Sequence, residues 1–355
     1  MNTVVLERPG TFGTVDRPEP DEPGEHDAVV APRRVGLCGT DYHAYAGRQN
    51  FFTYPRVLGH EIAVEVIAVG SRVENVAVGD HCAVLPYIAC LSCSACIREK
   101  SNCCERLGVL GVTMDGALCE RFTLPATSLF PGRGLSDDAL ALVETLGIGL
   151  HAVERSTVER DEHTLVVGAG PIGLAIAQAA LLRGARVAIT DTNQTRVRSA
   201  QTLLGLPTLV NGPGLEHELR DLGAGELPTT VFEATGSASS MEAAAHFVNA
   251  TGSLVLVGHT AGRIGFDNPL LHRRELTIRT SRNALATEWP HLIELVSAGR
   301  LDALAWINRR MPLGDVPRRF GEWSQPDSGV LKGVVEIGTD SAHATSAARH
   351  GARRT

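Results

Sequence analysis

The chain has 355 residues, a net charge of −7 and 43% hydrophobic residues, a length beyond what one core usually holds, so about two domains are expected. Its acidic balance excludes a phosphate-gripping surface, which needs a concentrated basic stripe, and no apolar run approaches the ~18 residues of a membrane-spanning helix. The opening MNTVVLERPGTFG lacks the apolar core and cleavage site of a secretory signal, so a cytoplasmic protein with no nucleic-acid or membrane partner is expected.

Residues 1–125 hold short β-rich pieces broken by Gly and Pro, such as EIAVEVIAVGSRVENVAVGDHCAV, and no helical stripe of comparable length. That pattern predicts an antiparallel, barrel-like domain. Within it, GLCGTDYHAYAG and YPRVLGHE gather Cys38, Thr40, Asp41, His43, His60 and Glu61. Cys38 and His60 are zinc-type ligands. A carboxylate from Glu61, or from Glu144 in ALVETLG, completes three protein ligands and leaves a position for water or an alcohol. A lone histidine is more often a packed or surface residue, but three coinciding features reverse that reading here.

The segment CLSCSACIREKSNCC places Cys90, Cys93, Cys96, Cys103 and Cys104 within fifteen positions. In a reducing compartment, and in a chain of this length, such clustering points to metal rather than to disulfides. Two-residue gaps turn successive sulfurs toward one ion at about 2.3 Å, as a tetrahedral four-thiolate zinc requires. Cys104 is taken as the fourth ligand, with Cys103 left geometrically open. A site closed by four thiolates is structural, so catalysis is assigned to the other cluster.

Residues 163–191, HTLVVGAGPIGLAIAQAALLRGARVAITD, read as strand, turn, helix and strand. Gly168, Gly170 and Gly173 follow the first strand, with Pro171 and Ile172 between them. The first glycine permits the turn, the second admits a pyrophosphate, and the third packs helix on strand. The helix N-terminus then faces the phosphates. Asp191, 18 residues beyond Gly173, is placed for ribose hydroxyls and repels a 2′-phosphate, which favours NAD; Arg196 is a residue type that serves NADP. TTVFEATG, GSLVLVGH and ELTIRTSRNA continue the alternation, with SMEAAAHFVNA as a helix, and predict a doubly wound parallel sheet. Its strand ends hold Glu233, Ala234, Thr235, Val257 and Gly258. WPHLIELVSAGRL reads as an amphipathic helix and SGVLKGVVEIG as a closing strand. The small, polar tail 339–355 is expected to be disordered.

Together these motifs, in their order and spacing, resemble the zinc-dependent medium-chain dehydrogenase/reductase family over about residues 1–338, within the sorbitol and threonine dehydrogenase subgroup. There a glutamate, here Glu144 in VETLGIGLHAV, stands where alcohol dehydrogenases have a second catalytic cysteine. AGRQNFFTYPRVLGHE and NCCERLGVLGVTMDGALCERF resemble the bacterial hexonate dehydrogenases of the L-galactonate and L-gulonate type. The resemblance implies a GroES-like catalytic domain at 1–150, completed by 286–338, and a Rossmann domain at 151–285. It also implies two Zn²⁺ per chain, NAD, and a homodimer or homotetramer. The implied activity is hydride transfer between NAD and a secondary alcohol of a polyol or sugar acid, with Thr40 taking the alcohol proton and His43 relaying it. Asp41 is expected to organise the site. Arg48, Arg282 and Asn283 are candidates for a substrate carboxylate or hydroxyls. One departure stands out: Val64 replaces a glycine of the family signature, so an altered local turn is expected there. The alternatives are a dehydrogenase or reductase of a natural-product intermediate, and a non-catalytic zinc- and nucleotide-binding protein.

Overall fold

A computed structural model describes residues 1–49, 52–325 and 327–338. The tail 339–355 lies outside the described residues.

Among the described residues, a seven-stranded sheet is built around Asp27–Leu37, which pairs along one edge with Glu61–Val69. Its other edge is shared between Phe122–Pro125 and Lys332–Glu336. Pro32 cannot donate to a ladder, and the register slips between Pro32 and Arg34, a bulge that absorbs the missing N–H. The expected antiparallel arrangement holds except at one edge, where Ile307–Pro312 runs parallel to Lys332–Glu336. Parallel neighbours need a long connection, and the helix Val316–Trp323 lies between those two strands in sequence.

Val64 does not sit in an altered turn. It is fully buried inside the strand Glu61–Val69, opposite Pro32 and Cys82, in an environment that suits a β-branched side chain.

The second sheet has six parallel strands in the order Thr208–Val210, Arg186–Asp191, His163–Val167, Thr230–Glu233, Ser253–Leu256 and Thr277–Thr280. Chain order reverses between His163–Val167 and Thr230–Glu233, the switch point at which doubly wound sheets bind ligands. The strand Thr208–Val210 and the helices Gln194–Leu204 and Leu215–Leu222 were not anticipated; the strand is only three residues long, and both helices are largely polar.

The two sheets share a core. One apolar cluster runs from Ala63, Leu85 and Tyr87 through Leu142 and Leu146 to Val166, Ile176 and Phe232. At its centre is the helix Val143–Glu154, nearly every residue of which is buried. It packs backbone to backbone on the helix Pro171–Leu182: a Cβ at Gly149 would lie 2.4 Å from the carbonyl carbon of Ala175. No helix among the described residues is long and apolar enough to cross a membrane.

Candidate active site

The cysteine segment is enclosed by a two-stranded ribbon, Tyr87–Ile88 against Gly108–Val109. Cys93 precedes a single helical turn, Ser94–Ile97, and the 3₁₀ turn Ser101–Cys103 brings the chain back. The sulfurs of Cys90, Cys93, Cys96 and Cys104 all lie within 4.8 Å of one another. Individual separations are 3.5 Å for Cys93 to Cys96, 3.9 Å for Cys93 to Cys104 and 3.4 Å for Cys104 to Cys90. A tetrahedron with metal–sulfur bonds of about 2.3 Å has edges of about 3.8 Å, so the cage fits zinc. Backbone N–H groups of Cys90 and Arg106 donate to Cys104 Sγ. Those of Ser92 and Glu105 draw the Cys90 and Cys93 thiols below their ordinary value. Cys103 is exposed and stands outside the group of four.

Cys38 follows the strand Asp27–Leu37 and caps the short helix Gly39–Tyr45. It meets His60 and Glu61, which open the neighbouring strand, and the three ligand atoms lie within 4.8 Å of one another. Thr40 Oγ1 is 3.8 Å from Cys38 Sγ. The Asp41 carboxylate accepts the Cys38 N–H at 2.8 Å, and its second oxygen lies 3.7 Å from His60 Nδ1. Among the described residues that oxygen and that nitrogen have no hydrogen-bond partner. Burial alone would push the His60 imidazole down, but the charges of Asp41 and Cys38 hold it well above its usual value. Burial pushes the Asp41 carboxyl up, against the pull of His60. Buried anionic donors with unspent polar atoms are the chemistry a divalent cation satisfies, so the residues present fit zinc.

Glu144, on the central helix, stands outside this trio. It is buried and accepts a hydrogen bond from the Tyr87 hydroxyl. Burial raises its carboxyl, His60 lowers it, and Glu61 raises it further, so the four side chains share one electrostatic neighbourhood.

Three residues of this site escaped the sequence reading. Lys332 is buried, and its ammonium donates to both Glu61 oxygens at 2.7 and 2.8 Å, with Leu37 O and Thr145 Oγ1 at 3.4 Å. Tyr87 and Thr145 are the others. The one available signal was Lys332 itself, one of two lysines among 33 basic residues, set in an apolar strand.

The nucleotide side is built from Gly168, whose φ of +107° turns the chain after His163–Val167, and Gly173, where a Cβ would lie 1.7 Å from Gly168 O. Gly170 caps the helix, Pro171 opens it and Ile172 follows. A cleft of about 390 Å³ at the switch point is lined by Gly168, Gly170, Asp191, Arg196, Ala234 and Thr235, among others. The Asp191 carboxylate accepts the N–H of Ala169 at 2.9 Å and of Asn193 at 2.8 Å, and Arg196 lies 4.0 Å from it. Val257 follows the strand Ser253–Leu256 and is not among the lining residues. His43 and Arg48 are exposed and near one another, with His259 of the nucleotide side close by. Arg282 is exposed, whereas Asn283 is half-buried with φ +52°.

Residues 24–134 match the family described as Alcohol dehydrogenase GroES-like domain, and residues 171–298 that described as Zinc-binding dehydrogenase. An L-galactonate-5-dehydrogenase of Escherichia coli (strain K12) is 35% identical over 336 residues, covering 94% of this chain and 98% of that one. Among solved structures, an alcohol dehydrogenase of E. coli CFT073 complexed with NADH has a TM-score of 0.88 at 26% identity, over 95% of this chain and 99% of its own. A zinc-binding dehydrogenase of Sinorhizobium meliloti 1021 bound to NADP gives 0.85 at 28%, over 94% and 98%. The GroES-like part carries the Cys38 and Cys90 clusters, the Rossmann part carries the glycine turn, and the chain belongs to the zinc-binding alcohol dehydrogenases of the medium-chain dehydrogenase/reductase family, an oxidoreductase acting on alcohols.

Proposed function

We propose that the protein transfers hydride between NAD and a secondary alcohol of a polyol or sugar acid. The carrying observation is the trio Cys38, His60 and Glu61, three ligand atoms within 4.8 Å that leave a fourth position for substrate. The 35% identity to an L-galactonate-5-dehydrogenase supports the sugar-acid class. Residues 1–150 with 286–338 are assigned to the catalytic half and 151–285 to the cofactor half. Cys90, Cys93, Cys96 and Cys104 are assigned a second, structural zinc. Glu144 is assigned the role of a reserve carboxylate beside the trio.

Zinc held by Cys38, His60 and Glu61 would supply Lewis acidity toward the substrate hydroxyl, and a nicotinamide cofactor held beside the Gly168 turn and Asp191 would supply the hydride acceptor. The protein's own groups do the rest. Thr40 Oγ1 takes up the alcohol proton as it gives up its own hydroxyl proton toward His43. His43, three residues on and on the same side of the helix, passes it to solvent from an exposed ring. Desolvation on its inner side, with Arg48 and His259 nearby, lowers the His43 imidazole from its ordinary value, which favours its neutral, proton-accepting form. Asp41 holds the Cys38 N–H and faces His60, fixing both ligands. On the nucleotide side, Asp191 presents a carboxylate beside the cleft and supports NAD over NADP. The strand Thr277–Thr280 ends its sheet with an open edge among the described residues, which supports assembly into dimers or tetramers.

The test is metal content per chain together with NAD⁺ reduction over polyols, hexonates, threonine and simple secondary alcohols. Two zincs with turnover on a hexonate or polyol is the expected result. Two zincs with turnover only on other alcohols would discard the substrate class. One zinc and no turnover would leave a non-catalytic zinc- and nucleotide-binding protein.

A further inference from the structure

The cysteine lobe touches the rest of the molecule at chemically specific points. Tyr87 belongs to the ribbon that encloses the lobe, and its hydroxyl donates to Glu144. Asn102 lies in the lobe's 3₁₀ turn, between Cys96 and Cys104, and is buried. Its amide nitrogen donates to the main-chain oxygen of Arg282 at 2.8 Å and lies 3.2 Å from His151 Nε2. His151 Nδ1 is 2.8 Å from Glu288 Oε1, and the other Glu288 oxygen accepts the Leu285 N–H at 2.9 Å. One tautomer accounts for these contacts: Nε2 accepts from Asn102 and Nδ1–H donates to Glu288, while Asn102 Oδ1 has no hydrogen-bond partner among the described residues.

Glu144 and His151 lie on the same helix, Val143–Glu154, seven residues apart. Seven residues is close to two turns, so both project from one face. The lobe therefore grips that helix at two points about 10 Å apart along its axis. The same helix abuts the nucleotide helix at Gly149. The Asn102 contact also reaches the segment 282–288, which leaves the carboxyl end of the strand Thr277–Thr280. A lobe that served only local stability would need none of these long-range polar contacts, which join residues 49, 57 and 180 positions apart.

We propose that the cysteine lobe is a positioning element for the reaction centre, setting Glu144 through Tyr87 and setting the 282–288 segment through Asn102 and His151. This rests on the reading of Cys38, His60, Glu61 and Glu144 as one metal neighbourhood, but not on the substrate class. Tyr87 and Asn102 are positioning residues: neither belongs to the trio.

The test uses zinc-loaded full-length protein, with zinc release to a chelator and NADH binding by fluorescence titration as readouts. Neither readout needs a substrate. Tyr87→Phe keeps the ring and removes the hydroxyl. Its zinc outside the cysteine cage is expected to bind up to about 10–100-fold more weakly, the range for losing a hydrogen bond to a metal-site carboxylate, and so to reach the chelator faster. With cobalt in that site, the visible spectrum should shift. Asn102→Ala is expected to retain the cysteine-cage metal, to weaken NADH binding several-fold and to speed amide exchange across 282–288. Arg98→Ala, on the exposed side of the lobe and with its side chain bonded among the described residues to Ser94 O, serves as the control and should match wild type. Wild-type release and NADH affinity in both variants would overturn the proposal, as would equal changes in Arg98→Ala. A chain that holds zinc only in the cysteine cage would sink the metal reading under Proposed function, and the Asn102→Ala arm would then decide this one.

Discussion

Replacing Lys332 by Met removes the cation that faces Glu61 from a place where water cannot substitute for it. Both side chains are at most 1% exposed, and the ammonium holds both carboxylate oxygens below 3 Å. Breaking a buried pair from one side leaves the other charge uncompensated, a cost of about 3–5 kcal/mol. With an unfolding entropy of ~2.1 cal/mol/K per residue over 355 residues, the melting temperature falls by at least about 4 °C, and by more if the cooperative unit is smaller. Calorimetry on chelator-treated protein reads this directly. Adding Glu61→Gln removes the stranded charge, so the double variant should recover more than half of the loss. A zinc ion held by Cys38, His60 and Glu61 would replace the missing positive charge, so the loss should also shrink in zinc-loaded protein. Additive single losses would show that the two side chains are not energetically coupled. An identical loss with and without zinc would show that Glu61 does not face the metal.

Cys38→Ser should abolish turnover while NAD still binds, whereas Cys104→Ser should lower the melting temperature far more than it lowers turnover of the folded fraction; matched activity losses without unfolding would refute that division. Asp191→Ala should reduce kcat/KM with NAD by about 10–100-fold, on the order of 1–3 kcal/mol for losing buried charged hydrogen bonds, and should raise the NADP/NAD ratio. An unchanged ratio would remove Asp191 from cofactor choice. The Arg310 guanidinium beside Asp138, with Arg34, holds that carboxyl below its ordinary value despite partial burial. A carboxyl lowered in the folded state contributes stability that is present above its unfolded pKa, about 3.9. That stability is lost as pH falls through the folded value. The urea midpoint of Asp138→Asn should therefore lie below wild type at pH 6 and converge with it as pH falls through the folded value, and a gap that widens on acidification would refute the sign.

What could be read in the sequence was local. Cys90, Cys93, Cys96 and Cys104 signal a metal because their spacing alone brings the sulfurs together, and Gly168, Gly170 and Gly173 signal a nucleotide because each answers a constraint within one turn. Val64 shows the converse. Judged from a signature it implied an altered turn, but its environment is set by Pro32 and Cys82 on neighbouring strands, and there a valine packs without strain.

The residues that stayed hidden are those whose meaning lies in distant partners. Lys332 meets Glu61 across 271 positions, and Asn102 meets Arg282 across 180. Neither pairing has a local pattern, because nothing in a turn or a helix fixes it; only closure of the seven-stranded sheet by Lys332–Glu336, beside Asp27–Leu37, carries the lysine to the glutamate. Candidate ligands of a metal can thus be proposed from spacing, while the groups that hold those side chains in place are supplied by topology. A buried ammonium in an otherwise arginine-rich chain is consistent with that distinction. A guanidinium holds its donors in a flat, fixed fork, whereas the compact ammonium reaches all four surrounding oxygens, Glu61 Oε1 and Oε2, Leu37 O and Thr145 Oγ1, from one nitrogen, with at least one of its three rotatable donors shared.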